Sequence, residues 1–402
     1  MIHSFSCKNF YSFAGENTVD FLVNDKTPKS YGYYTTSSGT RLSKVETVIG
    51  PNASGKTNLL KVLPFFKWLI VNSFDIEPSA PIPVLPFLFP QLKNKPIETS
   101  VKFEMDGDIY TYSFILDSKK ILKEDLKVKN KSKEKTTTKT LFLRQWEEES
   151  KKYRLMNNNF SLPKGFEKLL RTNASVIGIG MRLNHEKSEK IGLFWQKVKT
   201  NVIEAGWTGD SLSPKTNRVF SALNFFNKNK SHKSEAEKLL ARFDLGFEAF
   251  DIRKEKKGDE FYIDAQVTHQ FENQEYKLPF RYESSGTKQL VVLLETILQV
   301  LVDGGVAVID EFDVNLHSDM VLALFELFLS PETNPKNAQI LFSTHNHRIL
   351  NELDKYQVVL VEKNKQGSSE VWRLDEMSGI RADDNYYTKY IAGAYGAIPK
   401  IN

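Results

Sequence analysis

The chain has 402 residues, of which 40% are hydrophobic and 26% are charged, and its formal charge is +5. These proportions are typical of a globular protein, and the small positive charge permits contact with nucleic acid without arguing for it. The single cysteine, Cys7, excludes a disulfide framework and a cysteine-based metal site. The N-terminus lacks the features of a signal peptide, and the most apolar run, residues 291–302, is too short to span a bilayer. We therefore expect a cytoplasmic protein that does not enter a membrane.

The first 160 residues predict an antiparallel sheet around a short strand and helix. Residues 1–23 alternate enough to form two strands about a turn at residues 15–17. A strand is predicted over residues 44–49 and a helix from Lys56, which Pro64 is expected to kink or end. From residue 101 to residue 155, alternating runs resemble an antiparallel meander. We assign residues 1–160 to the N-terminal half of one domain.

A phosphate-binding loop follows the predicted strand, because residues 50–57 match G-x-x-x-x-G-K-[ST] completely. Its glycines let several backbone N–H groups face one anion, and the following helix adds its positive end. Lys56 would reach the β- and γ-phosphates of ATP, and the Thr57 hydroxyl would bind Mg²⁺. The residues predicted to bind ATP are Gly50, Pro51, Asn52, Ala53, Ser54, Gly55, Lys56, Thr57 and Asn58.

The segment 117–139 within the meander is rich in lysine. It is either a solvated hairpin tip or a basic contact for nucleic acid or a partner protein. The sequence leaves both interpretations open.

Residues 161–255 predict a helical insertion lobe, and residues 256–402 predict the C-terminal half of the domain. The insertion has apolar residues at helical spacing. From Ser284 onward, apolar strands alternate with helices, as in a parallel α/β sheet. The apolar residues that indicate the helical spacing are Ile191, Phe194, Trp195, Val198 and Val202.

A second anion site is predicted where Ser284, Ser285 and Gly286 precede a strongly apolar helix. A Ser-Ser-Gly turn at the N-terminus of a helix offers backbone donors to a phosphate. Because this turn is far in sequence from the phosphate loop, it is best explained if Ser285 and Gly286 contact the nucleotide of a neighbouring copy.

Paired acids follow the apolar run 306–309, which is expected to be a strand buried on both faces. Two adjacent carboxylates at the end of such a strand are costly unless they handle a cation or a proton. We predict that Asp310 binds Mg²⁺, directly or through water, and that Glu311 is the general base for the attacking water. A further apolar strand ends at His345, where ligands bind in parallel sheets.

Taken in this order, the motifs resemble those of ABC-type ATPases. The resemblance implies an α/β, ABC-type P-loop ATPase domain with an N-terminal antiparallel β-subdomain and a helical insertion. It also implies that the Ser-Ser-Gly helix is the signature that closes over a γ-phosphate across a head-to-tail dimer, and that His345 is the catalytic switch histidine. Gln91, in a proline-rich segment, is the candidate for the Q-loop glutamine.

The run 7–13 and the long insertion resemble the SMC, RecF and OLD branch of this class. Residues 283–287, the acidic run 310–313 followed by Leu316-His317, and the tail 390–399 are similar to AAA/ABC-type ATPases of bacterial abortive-infection systems, the group of RloA and the AbiL ATPase subunit. This resemblance covers essentially the whole chain. It implies a homodimer or higher homo-oligomer that hydrolyses ATP with Mg²⁺ in anti-phage defence. It also implies control of an effector, a nuclease or toxin encoded nearby.

Two other functions remain open. A RecF-like or SMC-like ATPase of DNA repair or maintenance would bind DNA, although the sequence lacks a long heptad coiled coil. A scaffold that binds nucleotide only to keep its shape would have no use for the base Glu311. The residues after His345 are too few for the TOPRIM domain of OLD nucleases, which favours a separate effector, and Asp383-Asp384 there is interpreted as a solvated loop.

Overall fold

The computed structural model describes residues 1–131, 136–157, 159–202, 214–243, 246–257, 260–272, 274–314 and 316–399. The strands are β1 (Ile2–Lys8), β2 (Asn17–Asp20), β3 (Tyr33–Thr35), β4 (Arg41–Ser43), β5 (Val45–Ile49), β6 (Ile97–Met105), β7 (Asp108–Leu116), β8 (Ile121–Lys131), β9 (Thr136–Glu147), β10 (Lys152–Met156), β11 (Val198–Thr200), β12 (Phe247–Lys257), β13 (Glu260–Phe271), β14 (Gln274–Pro279), β15 (Val306–Ile309), β16 (Gln339–Ser343), β17 (Val358–Lys363) and β18 (Ser369–Arg373). The helices are α1 (Lys56–Leu60), α2 (Val62–Lys67), α3 (Val176–Arg182), α4 (Glu186–Gln196), α5 (Pro214–Lys228), α6 (Lys230–Arg242), α7 (Ser285–Asp303), α8 (Ser318–Leu329) and α9 (Tyr386–Ile391).

A six-stranded sheet in the order β11-β15-β16-β5-β17-β18 forms the centre of the molecule. Its strands are parallel except for β18, which runs antiparallel to β17. Every residue of β5, β15 and β16 is buried. Successive residues of these strands contribute to two different hydrophobic clusters, one on each face of the sheet. This arrangement explains why the strands read as continuous apolar runs.

A seven-stranded antiparallel sheet in the order β10-β9-β8-β7-β6-β1-β2 lies beside the central sheet. One face of it packs, together with α1 to α4, in the first hydrophobic cluster. Smaller sheets are formed by β12-β13-β14 and by β3-β4. The predicted fold class, an ABC-type α/β ATPase domain with an antiparallel N-terminal sheet, is confirmed by this topology.

Two buried carboxylates, Glu104 and Glu124, link adjacent strands of the antiparallel sheet. Glu104 contacts His3 Nε2 at 3.0 Å and accepts the backbone N–H of Ser38 at 2.9 Å. Burial opposes its ionisation, but hydrogen bonds, the strongest from His3, lower the pKa of Glu104 from 4.5 to about 2. Glu124 accepts from Arg144 Nη1 at 3.0 Å, and both side chains are fully buried. Burial raises the pKa of Glu124, while the Arg144 guanidinium opposes that rise.

The helix after the phosphate loop is interrupted, as expected from the proline at position 64. Pro64 has no N–H to donate to Leu60, four residues earlier, and α1 ends at Leu60. The chain continues as α2 and then as a π-helical turn over Trp68–Asn72. The short α1 therefore presents its N-terminus to the loop while α2 packs in the first cluster.

The segment 161–255 is not a single helical lobe, which corrects our expectation. Helices α3 and α4 pack in the first cluster, whereas α5 and α6 pack with α7 in the second. Between the two pairs, β11 joins the central sheet beside β15. Val198 and Val202 continue the helical spacing of α4 by coincidence, because α4 ends at Gln196. The boundaries at residues 160 and 255 stay predictions.

Helix α7 is long and apolar enough to cross a membrane by length and composition alone. In the structure, 56% of its apolar window is buried inside the protein, against α5, α6, β11 and β15. This burial is typical of a core helix.

Candidate nucleotide site

Three sequence motifs and Lys363 meet at one edge of the central sheet, because each lies at or just after the carboxyl end of a parallel strand. The phosphate loop follows β5, Asp310-Glu311 follows β15, His345 follows β16, and Lys363 is the last residue of β17. These strands are adjacent in the sheet. They surround a cavity of about 350 Å³, which we call the nucleotide cavity. Its lining comprises residues 52–58 of the loop, Asp310, Glu311 and His345, and also Ser12 and Lys363.

The two glycines of the loop are required by close contacts. A Cβ atom on Gly50 would lie 2.1 Å from the backbone oxygen of Val361, so the loop passes β17 without room for a side chain. Gly55 has a φ of +117°, and its Cβ would lie 2.3 Å from Ser369 Oγ. Ala53 also has a positive φ, of +60°. These conformations turn the loop tightly, as an anion-binding concavity requires.

Lys56 is largely buried, and its Nζ donates to the backbone oxygens of Gly50 at 2.8 Å and Pro51 at 3.1 Å. Burial lowers the pKa of Lys56, while the nearby carboxylates of Asp310 and Glu311 oppose that shift. A triphosphate in the nucleotide cavity would offer this ammonium stronger acceptors than the two carbonyls. The side chain therefore fits the predicted phosphate contact.

The lining also fits Mg²⁺. This ion is usually bound by one or two protein ligands, with waters and substrate phosphates completing an octahedron. The Asp310 carboxylate and the Thr57 hydroxyl line the same cavity. No cluster of three or more His, Cys, Asp or Glu residues able to hold a metal occurs in the part of the chain that the structure describes. A cation held by Asp310 and Thr57 would thus take its remaining oxygens from phosphate and water.

Ser343, the last residue of β16, orients both paired acids. Its hydroxyl donates to Asp310 Oδ1 at 2.5 Å and accepts the backbone N–H of Glu311 at 2.8 Å. The backbone of Glu311 has a φ of +50°, which is uncommon for a residue with a side chain. Phe312 donates its backbone N–H to the oxygen of Ser343 at 2.9 Å. Such a conformation persists where the surrounding structure holds it, and it is frequent at functional sites.

Asn201 holds Asp310 from the opposite side. Its Oδ1 accepts the backbone N–H of Asp310 at 2.6 Å, and its Nδ2 donates to the backbone oxygen of Asp310 at 2.8 Å. Asn201 directly follows the edge strand β11. The turn that carries the two acids is therefore fixed between β11 and β16.

The histidine loop after β16 is held by an acid of the Asp310–Asp313 run. The backbone N–H of His345 lies 3.1 Å from both carboxylate oxygens of Asp313. Two residues later, the His347 ring lies 4.8 Å from the Tyr390 ring. Burial lowers the pKa of His347, and the nearby His345 lowers it further. This loop thus joins the acidic turn to the C-terminal part of the chain.

The hydroxyl groups of two serines outside the phosphate loop hold it through hydrogen bonds. Ser369 Oγ donates to the backbone oxygen of Ser54 at 2.5 Å and is hydrogen-bonded to Ser12 Oγ at 2.9 Å. Ser12 Oγ also accepts from Asn58 Nδ2 at 3.0 Å. The N-terminal sheet and β18 therefore meet at the loop. Sequence reasoning did not assign a role to Ser12, Ser343, Ser369, Asn201 or Lys363, although Ser12 and Ser343 lie in runs that it singled out.

Two predicted elements, the Ser285-Gly286 turn and Gln91, do not line the nucleotide cavity of their own chain, and neither do Gly50 and Pro51, which were predicted to bind ATP. Ser285 and Gly286 begin α7, where the hydroxyl of Ser284 caps the helix by accepting the N–H of Thr287 at 3.0 Å, and neither is part of the cavity lining. Gln91 is exposed on a turn and does not line it either. His317 is the largely exposed N-cap of α8.

Comparison with known proteins shows the family to which the chain belongs. Residues 47–351, about three quarters of the chain, match the family model described as "AAA domain, putative AbiEii toxin, Type IV TA system". A search of curated proteins found no match.

Solved structures that resemble the chain include SMC heads. The SMC head domain from Thermotoga maritima is 14% identical, with 92% of this chain and 98% of that chain covered and a TM-score of 0.42. An SmcHead bound to the C-winged helix domain of ScpA is 15% identical, with coverage of 94% and 99% and a TM-score of 0.48. A Pyrococcus furiosus Smc head with an extended coiled coil, bound to the C-terminal domain of ScpA, is 13% identical, with coverage of 93% and 97% and a TM-score of 0.42.

Proposed function

Because the chain belongs to the family described as "AAA domain, putative AbiEii toxin, Type IV TA system", we propose that it binds ATP with Mg²⁺ and hydrolyses it. The observation that carries this proposal is the nucleotide cavity itself. Residues predicted to bind phosphate, to bind a metal and to accept a proton follow three adjacent strands and line one concave site. That combination is the one that phosphoryl transfer to water requires.

The hydrolytic step follows from the positions of these groups. Glu311 accepts a proton from a water as the oxygen of that water bonds to the γ-phosphorus. The bond from the γ-phosphorus to the bridging oxygen then breaks, which leaves ADP and inorganic phosphate. Lys56 stabilises the charge on the phosphates, and His345 contacts the terminal phosphate. Mg²⁺, held by Asp310 and Thr57, would supply further neutralisation of that charge.

A second copy of the chain supplies the remaining contact in this proposal. Ser285 and Gly286 do not line the nucleotide cavity of their own chain, although they begin a capped nineteen-residue helix suited to an anion. In a head-to-tail dimer, this helix end closes over the nucleotide of the other copy. Higher homo-oligomers would be assembled from such pairs.

The biological role that fits best is anti-phage defence in the cytoplasm. The family description names a toxin of a toxin–antitoxin system, and the motifs resemble abortive-infection ATPases. ATP binding would close the dimer and hydrolysis would reopen it, and the difference would control a nuclease or toxin encoded nearby. The energy for such control is the differential affinity of ATP for the closed form.

A DNA-binding ATPase of the RecF or SMC kind is the second candidate, favoured by one feature of the antiparallel sheet. Lys102 and Lys127 occupy one cross-strand row, joined through Thr111, and Lys129 lies two residues along β8 on the same face. Such a face could contact phosphates of DNA. Binding of duplex DNA that needs ATP and falls steeply with salt would favour this function over the defence role.

Substitution of the base tests the catalytic proposal. Glu311→Gln keeps the side-chain shape but removes the proton acceptor, so we expect turnover to fall about 100-fold or more, within the usual range for general-base loss. ATP binding should persist, and with saturating ATP the variant should accumulate as a dimer, measured by light scattering. Asp319→Asn, an exposed acid at the start of α8, is the control that should leave turnover unchanged. Equal turnover in wild type and Glu311→Gln would reject the assignment.

A further inference from the structure

A second cavity, of about 470 Å³, adjoins the first half of the phosphate loop, and we call it the tail cavity. It shares loop residues 52–54, His345 and Lys363 with the nucleotide cavity. Its other walls are Gly50 and Pro51 at the start of the loop, His347, Glu362 and the C-terminal residues Tyr390, Ile398 and Pro399. The two cavities therefore meet along the same loop.

The tail cavity extends from the terminal-phosphate end of the nucleotide cavity. Glu311 and His345 mark that end, because the base must act on the water that attacks the γ-phosphate. The tail cavity includes His345 although not Glu311, and it lacks Thr57 and Asn58, the second and third residues of α1 at the other end of the loop. Inorganic phosphate split from the terminal position of ATP would thus form at the junction of the two cavities.

The lining of the tail cavity suits a small anion held weakly. Two imidazoles and the Lys363 ammonium offer donors to phosphate oxygens. The carboxylate of Glu362 opposes them, and its Oε2 is engaged by the backbone N–H of Ala397 at 2.8 Å. The volume far exceeds the roughly 30 Å³ of one water molecule, so a phosphate with part of its hydration shell fits.

The C-terminal segment 390–399 forms one wall of this cavity and is held there by identifiable contacts. The hydroxyl of Tyr390 donates to the backbone oxygen of Ala397 at 2.7 Å. The Tyr390 ring packs on His347, within the loop that carries His345. A displacement of the histidine loop would therefore reach the segment 390–399 directly.

From these observations we propose that inorganic phosphate leaves through the tail cavity and that residues 390–399 form its gate. This inference rests on the proposed hydrolysis of ATP. In the closed dimer, ADP still occupies the loop and the α7 end of the second copy covers the mouth of the nucleotide cavity. The tail cavity offers the product a path that does not require the dimer to open first.

Filling the tail cavity tests this route. In Ile398→Trp, the larger side chain occupies part of the cavity, and the matched control is Leu193→Trp on α4, at a site that is 57% exposed and lines neither cavity. Chemical quenching of a single turnover measures hydrolysis, and a fluorescent phosphate sensor measures release. We expect Ile398→Trp to hydrolyse ATP at the wild-type rate but to release phosphate about tenfold more slowly, a barrier change of about 1.4 kcal/mol. The control should match wild type in both steps.

A second variant covers the case in which Ile398→Trp does not fold, as judged by circular dichroism. Lys363→Met removes a cation from the junction, and we expect it to weaken the inhibition of turnover by added inorganic phosphate. Unchanged inhibition in Lys363→Met, or release that keeps pace with hydrolysis in a folded Ile398→Trp, would overturn the proposed route. Loss of ATP binding in Ile398→Trp would also overturn it, since the cavity would then belong to the nucleotide. A wild-type chain that shows no quenched-flow hydrolysis would refute the proposed function instead.

Discussion

Replacing Asn201 by alanine should slow ATP hydrolysis while leaving ATP affinity nearly unchanged. Asn201 makes two hydrogen bonds to the backbone of Asp310, at 2.6 and 2.8 Å, and it does not line the nucleotide cavity. At about 1 kcal/mol for each bond, the acidic turn would lose about 2 kcal/mol of positioning energy. If that loss falls on the transition state, kcat decreases about 30-fold. Steady-state turnover and equilibrium binding of a fluorescent ATP analogue separate the two effects.

Two further variants test whether the hydrogen bonds of Asn201 support turnover. Asn201→Asp keeps the acceptor for the Asp310 N–H but loses the donor, so it should recover part of the lost kcat. Asn159→Ala removes a comparable bond from Nδ2 to the backbone oxygen of Thr140, at 2.9 Å, and should leave turnover at the wild-type level. A kcat for Asn201→Ala within twofold of wild type would show that the clamp on Asp310 is not needed. An equal loss of ATP affinity and turnover would indicate general loosening of the fold.

Three other substitutions probe the loop and the buried carboxylates. Gly55→Ala should abolish measurable binding of the fluorescent analogue, since its Cβ meets Ser369 and the φ of +117° disfavours a side chain; retained affinity would contradict the proposed loop geometry. Arg144→Met leaves Glu124 buried without its partner and should lower the free energy of unfolding in urea by about 3–5 kcal/mol. Because the folded-state pKa of Glu104 is lowered to about 2, its ionisation stabilises the fold above the unfolded-state pKa near 4.5, and this is lost as the pH falls toward 2. In Glu104→Gln, the free energy of unfolding should no longer show this loss of about 3 kcal/mol as the pH falls. Urea titrations between pH 4.5 and about pH 2 measure it.

The sequence pointed to many of the motif residues that line the nucleotide cavity, although Gly50, Pro51, Ser285 and Gly286 do not line it. Lys56, Asp310 and His345 each follow a short apolar run, and the carboxyl ends of adjacent parallel strands must share one edge. The glycine spacing around Gly50 also has a local cause, since a close backbone contact excludes any side chain there. Such signals are contained within a few consecutive residues and need no knowledge of the distant chain.

The residues that support these motifs could not be predicted in the same way. Asn201 contacts a residue 109 positions away, and Ser369 contacts the loop from 315 positions away. A single polar side chain at such a separation leaves no periodic or spaced pattern in the sequence. The hydroxyl of Ser343 is close to the motif histidine, but its role depends on the register between β15 and β16.

The sequence predicted a helix where the strand β11 forms, and this error has a different physical reason. Three residues of strand, Val198–Thr200, are too few to show alternation, and Val198 and Val202 happen to keep the helical period of α4. The strand forms because its partner β15 is already part of a buried sheet. Tertiary pairing therefore decided a segment whose local pattern favoured a helix.

The hydroxyl of Ser343 places a constraint on how this site can change. One oxygen atom orients the carboxylate of Asp310 and also the backbone of Glu311, and the same residue ends the strand that leads to His345. Threonine would keep the hydroxyl but add a methyl group at a fully buried position, and alanine would release both acids together. Under the proposed mechanism, a substitution at this one position would therefore affect the magnesium ligand and the general base at once, so neither role is free to change separately.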